Sequence, residues 1–162
     1  MRRIASIIVL LFALPLAGCI ETLYNVGDFL GDAAQLQPWK KLALDGDVEA
    51  QYKVGTAYCC GDRPKHDNVK ALYWWCQAAK QGQRDAQFQV GKMYDSASQY
   101  KGNIIQQNPV LAFTYYSLAE KNGNNEAVGF KQKLSGVLSA AQKQEAAALL
   151  EEFPNIACEV ER

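Results

Sequence analysis

Ala50-Gln51-Tyr52-Lys53-Val54-Gly55-Thr56-Ala57-Tyr58 returns further along the chain as Ala86-Gln87-Phe88-Gln89-Val90-Gly91-Lys92-Met93-Tyr94. Alanine, glutamine, an aromatic, valine, glycine and tyrosine coincide when Ala50 is laid on Ala86, an offset of 36 residues. The same offset carries Trp39 onto Trp75, Ala43 onto Ala79 and Gly46 onto Gly82. A second register lays Ala71 on Ala112, an offset of 41, and with it Trp74 on Tyr115, Trp75 on Tyr116, Ala78 on Ala119, Gly82 on Gly123 and Ala86 on Ala127. The additional residues fall in the polar stretch 96–108. A tandem period of this size means stacked helical units, each burying its apolar face only against its neighbours.

Each unit reads as two helices. Asp47 is suited to cap the first, and Ala50, Val54 and Tyr58 recur at four-residue steps along one face. Gly55 and Gly91 each cost a helix about 1 kcal/mol relative to alanine. Their repetition in register predicts close approach of a neighbouring helix. The turn 61–64 ends the first helix. The second carries Ala71, Trp74 or Trp75, and Ala78 with Ala79. Gly82 and Gly123 stand where a left-handed residue ends a helix, and Asn108-Pro109 opens the second helix of the next unit. Further on, Leu134, Val137 and Leu138 continue an apolar stripe. Ser139-Ala140-Ala141-Gln142 is a capping box for a last helix whose apolar face is Leu149, Leu150 and Phe153, with Pro154 as its stop. That helix is expected to cap the open end of the stack.

These residues resemble the Sel1-like repeat, whose pattern is Ala-x-Tyr-x-Leu-Gly-x-x-Tyr, a turn, then Asp-x-x-x-Ala-x-x-Trp-x-x-x-Ala-Ala-x-x-Gly. Ala50 to Tyr58 fits with valine for leucine, and Asp67 to Ala71 with Trp74 or Trp75 through Gly82 fits the second half. The following unit has tyrosine for tryptophan, Glu120 for the second alanine and a longer loop. The resemblance implies an all-α fold, a right-handed α-solenoid of Sel1-like, TPR-like helix pairs with a C-terminal capping helix. The organisation expected is residues 1–18 as a signal peptide, 19–38 as a tether, 39–138 as the array, and 139–162 as capping helix and tail.

The beginning of the chain sets the expected compartment. Arg2 and Arg3 precede an apolar run from Ile4 to Leu16, shorter than the roughly 20 residues that span a bilayer. Such a basic start and short apolar core describe a secretory signal. The run closes on Leu16-Ala17-Gly18-Cys19, which looks like the lipobox of bacterial lipoproteins. The resemblance implies cleavage before Cys19, acylation of that thiol and, with Ile20 rather than aspartate following, transfer to the outer membrane on its periplasmic side. Without Arg2 and Arg3 the chain keeps 15 basic and 17 acidic residues, so no basic excess suggests nucleic acid as a partner. The other cysteines, Cys59, Cys60, Cys76 and Cys158, suggest up to two disulfides in an exported chain. Four thiols allow three pairings. A vicinal Cys59–Cys60 bond is strained, and the expected pairs are Cys60–Cys76 and Cys59–Cys158, with a bond from Cys76 to the tail as the other possibility.

Catalytic patterns are sparse. His66 is the only histidine and sits in a charged turn without an evident nucleophile or orienting partner. Ser98-Gln99-Tyr100-Lys101 matches the Ser-x-x-Lys of penicillin-interacting enzymes, yet the companion motifs are missing and the match lies in the variable loop. Asp45-Gly46-Asp47 begins like a calcium loop, but its sixth position is Ala50 and its twelfth Thr56. The cysteine spacing fits no zinc finger. No catalytic residue, metal or cofactor is assigned, and the chain is expected not to be an enzyme.

The first helices line the inner side of such arrays in the family that the chain resembles. Glu49, Tyr52 and Thr56 share a face at spacings of three and four, and Asp85, Phe88 and Lys92 repeat it one unit later, with Glu126 and Lys133 as an extension. Mixed charge with aromatic anchors suits a protein partner. The same positions fit Tyr52 and Phe88 as core residues. The resemblance implies a scaffold or adaptor in the cell envelope. The alternatives are an inhibitor of an envelope enzyme or a cell-wall enzyme of the penicillin-interacting type.

Overall fold

The computed structural model describes residues 36–60, 67–95, 105–156 and 158. Within them the chain forms seven helices and no strand: α1 (Gln37–Leu44), α2 (Val48–Cys60), α3 (Asn68–Lys80), α4 (Arg84–Asp95), α5 (Pro109–Lys121), α6 (Glu126–Val137) and α7 (Ala140–Glu152). It is an all-α solenoid in which α2–α3 and α4–α5 are the two full helix pairs, preceded by the second-type helix α1 and followed by the first-type helix α6. Among the described residues no helix is long and apolar enough to cross a membrane.

The periodicity seen in the sequence is a periodicity of hydrogen bonds. Each first helix begins under a side-chain acceptor: Asp47, Gln83 and Asn124 accept from the amides of Ala50, Ala86 and Ala127. Each full second helix begins likewise, with Asp67 accepting from Lys70 and Asn108 from Val110 and Leu111. The backbone amides of Asp67 and Asn108 donate to the carbonyls of Tyr58 and Tyr94, which fixes where each pair folds back. The second helices end on Gly46, Gly82 and Gly123 at φ of 96°, 87° and 90°. There the amides of Asp47, Gln83 and Asn124 reach back to the carbonyls of Leu42, Ala78 and Ala119. That six-to-one bond needs the left-handed conformation that glycine adopts without steric cost.

Two buried glutamines stitch successive units. Gln51 donates to the Ala43 carbonyl and accepts from the Gln81 amide. Gln87 repeats this with the Ala79 carbonyl and the Asn122 amide. A buried amide with both ends bonded is tolerated and fixes register, whereas an unpaired one costs about 1–3 kcal/mol. The core between the layers holds Trp75, Tyr115 and Tyr116, nearly without solvent contact, among small residues such as Ala71, Ala78, Ala112 and Ala119.

The repeated glycines answer to side chains rather than to backbone. A Cβ on Gly55 would stand 2.5 Å from Trp75 Cδ1, and one on Gly91 would stand 2.6 Å from Tyr116 Cδ1. The close approach is that of an aromatic ring of the same unit's second helix, Trp75 in the first pair and Tyr116 in the second.

α7 opens with the expected Ser139–Gln142 capping box. It packs against α5, the last second-type helix, and α6 keeps its far side exposed. From α7 the tail crosses Tyr115, whose ring meets Phe153 edge-on at 6.5 Å and whose hydroxyl lies 3.5 Å from Cys158 Sγ. Cys158 is bonded to Cys76 of α3. Neither Cys59, which is buried, nor Cys60, which is exposed, joins a disulfide. The expected pairs Cys60–Cys76 and Cys59–Cys158 are therefore corrected to Cys76–Cys158. The reason is the path of the tail, which runs over the second helices to reach Cys76 well along α3, while Cys59 and Cys60 end α2.

Candidate interaction face

The residues expected to form a binding row lie along α2 and α4, in different states of burial. On α2, Glu49 is exposed and pairs with Lys53 at 3.8 Å, and Lys53 Nζ lies 4.0 Å above the ring of Trp39. Tyr52 is half-buried. Thr56 donates to the Tyr52 carbonyl and accepts from Trp75 Nε1 at 3.4 Å, so it ties the face to the core. Burial and the nearby Asp85 carboxylate raise the phenol pKa of Tyr52, and hydrogen bonds with Thr56 and Gln89 oppose that shift. Tyr52 thus spans from one unit's first helix to the next.

On α4, Asp85 accepts from Asn124 Nδ2 at 2.8 Å and lies 3.7 Å from Arg84. Lys92 is half-buried, with its ammonium 5.4 Å over the ring of Phe88. Phe88 itself is only 5% exposed. Of the two readings open for it, the core one holds and its place as a binding anchor is corrected: its ring is enclosed by Tyr116 at 5.7 Å and Phe130 at 5.3 Å. The face therefore offers Glu49, Tyr52, Asp85 and Lys92 to solvent, with Phe88 and Thr56 as their support.

Phe130 is the aromatic that the sequence reading missed. It is 40% exposed and packs one side on Phe88 and Tyr116. In the 41-residue register it corresponds to Gln89, not to Phe88, so a search for the same residue type at the same position passes over it. Lys53 and Trp39 were missed in the same way, since their contact joins α1 to α2 rather than two equivalent positions.

The remaining candidates separate. Cys19, His66 and Ser98 lie outside the described residues. Asp47 is a helix cap, accepting from the Ala50 amide. Among the described residues no three of histidine, cysteine, aspartate and glutamate cluster as a metal site. Tyr115 is buried, which pushes its hydroxyl well above the ordinary phenol range, and it serves the core.

Residues 48–83 and 84–124, which hold the two helix pairs read from the sequence, each match the Sel1 repeat. Among solved structures the chain is similar to a protective antigen present in uropathogenic Escherichia coli strains, described as displaying an SLR fold. The similarity has a TM-score of 0.64 and 27% identity, over 72% of this chain and 24% of the antigen chain. The chain thus spans about a quarter of that antigen's length. No curated protein matches the chain in sequence.

Proposed function

We propose that the chain is a lipid-anchored protein of the bacterial outer membrane, facing the periplasm, whose helical array holds a protein partner in the cell envelope. The array supports the binding part of this reading, because Sel1 repeats mediate protein–protein association. The observation that carries it is the row formed by Glu49, Tyr52, Asp85 and Lys92, which crosses two consecutive first helices as one surface with both charges and a half-buried phenol. Its four side chains are exposed or half-exposed on two successive first helices. Such a face suits side chains of another protein better than a small molecule, which favours an enclosed pocket with a few converging polar groups. The sequence Leu16-Ala17-Gly18-Cys19 supports the anchoring part.

The test is capture of the partner from intact envelopes by the normal chain and by Lys92→Glu. The ammonium of Lys92 lies at the surface over Phe88, so its reversal alters the face and leaves the helix ends and core unchanged. Helical circular dichroism should be the same for both chains. Affinity for the captured partner should fall about tenfold or more, as for a residue worth about 1–2 kcal/mol at an interface. Equal affinity would remove the assignment of this face.

A further inference from the structure

The row of first helices stops at α6, and the leading edge of α6 is unlike the two before it. The edge of α2 is covered by α4, through Tyr52 with Gln89 and Asp85. The edge of α4 is covered by α6, through Phe88 with Phe130. At the corresponding positions α6 carries Glu126, Gly129 and Lys133. A Cβ on Gly129 or Gly136 would meet nothing within 4 Å, whereas Gly55 and Gly91 each lie under an aromatic ring. Glycine weakens a helix relative to alanine, so two uncovered glycines one heptad apart are unexplained by the chain's own packing. The same face exposes Phe130 at 40% and Val137 at 74%. Residues 126, 129, 130, 133, 136 and 137 share one side of the helix at three-, four- and seven-residue spacing.

We propose that this face pairs with the same face of a second copy, α6 against α6 in antiparallel orientation. The charges select that occupant. Glu126 and Lys133 are seven residues apart, roughly 10 Å along the axis, and neither has an ion-pair partner among the described residues. A twofold axis midway between them sets Glu126 against Lys133 of the second copy and repeats the pair on the other side, as an isologous contact requires. Parallel pairing would oppose like charges. In the antiparallel arrangement Phe130 lies beside its own copy on one flank, and Gly129 and Gly136 on the other let the backbones approach. The surface lies at the end of the array, and this inference does not depend on the partner-binding row.

Sedimentation velocity of the full-length chain in density-matched mild detergent tests it. At tens of micromolar the chain should sediment as a dimer. Glu126→Lys and Lys133→Glu should each weaken the dimer by at least about tenfold, because each opposes like charges twice. An equimolar mixture of the two variants should regain the dimer as a mixed pair. In that pair the introduced lysine faces the introduced glutamate at one contact, and the native Lys133 faces the native Glu126 at the other. A monomeric normal chain, a dimer indifferent to both reversals, or a mixture that stays monomeric would overturn the proposal.

Discussion

Trp75 lies over Gly55 so closely that a Cβ there would stand 2.5 Å from its ring. The relationship recurs between Tyr116 and Gly91 one unit later, at 2.6 Å. Both rings are almost wholly buried and cannot swing aside. The aromatic-over-glycine contact is thus the joint that locks each second helix onto its first.

This joint predicts opposite signs for the same substitution at different glycines. Gly55→Ala and Gly91→Ala gain helix propensity of about 1 kcal/mol but overpack the core by about 1–3 kcal/mol. Each should lower stability, by up to about 2 kcal/mol net. Gly129→Ala and Gly136→Ala meet no atom and should raise monomer stability by about 0.5–1 kcal/mol. Urea unfolding of the four variants at low concentration checks the contrast, which fails if the two pairs shift in the same direction.

A second prediction concerns the tail. The Cys76–Cys158 bond closes a segment with a sequence separation of 82 residues, and cross-links over long loops contribute about 2–4 kcal/mol. Cys158→Ser should lower stability by that order, and Cys60→Ser should leave it unchanged. Alkylation of the folded, unreduced chain should modify Cys60 rapidly and Cys59 only on unfolding, because the first is exposed and the second buried. Rapid labelling of Cys76 in the unreduced chain would contradict the bond.

The repeats were legible because their joints depend on single residue types: glycine at the positive-φ turns, glycine beneath the rings, and a polar cap before each Ala50-type position. Laid in register, these identities give the helix pairs and their boundaries. The candidate face was less legible. Phe88 and Tyr52 occupy one register position, yet Phe88 is enclosed because α6 supplies Phe130 beside it, while Tyr52 faces the shorter Gln89 and remains half-open. Helical periodicity does not separate a buried position from a half-exposed one when only the neighbour's side chain differs. The disulfide depended on the route of the tail across α5, a non-repeating segment with no internal copy to compare. The exposed edge of α6 likewise has no earlier counterpart, since the edges of α2 and α4 are both covered.

Anchoring is tested at Cys19. If the lipobox-like Leu16 to Cys19 is processed as proposed, Cys19→Ala should accumulate as an uncleaved or mislocalised precursor, read by mass and by membrane fractionation. Unchanged mass and unchanged outer-membrane fractionation would remove the anchor from the account.

The claim that the row along the first helices holds a protein partner meets its most direct test in site-specific photocrosslinking in living cells. A photoactivatable phenylalanine analogue replaces Lys92 on the row in one version and the exposed Glu145 on α7 in another. The account predicts a discrete adduct with one envelope protein from position 92, lost when Glu49→Lys is added, and none from position 145. No adduct from position 92, or the same adduct from both positions, would contradict it.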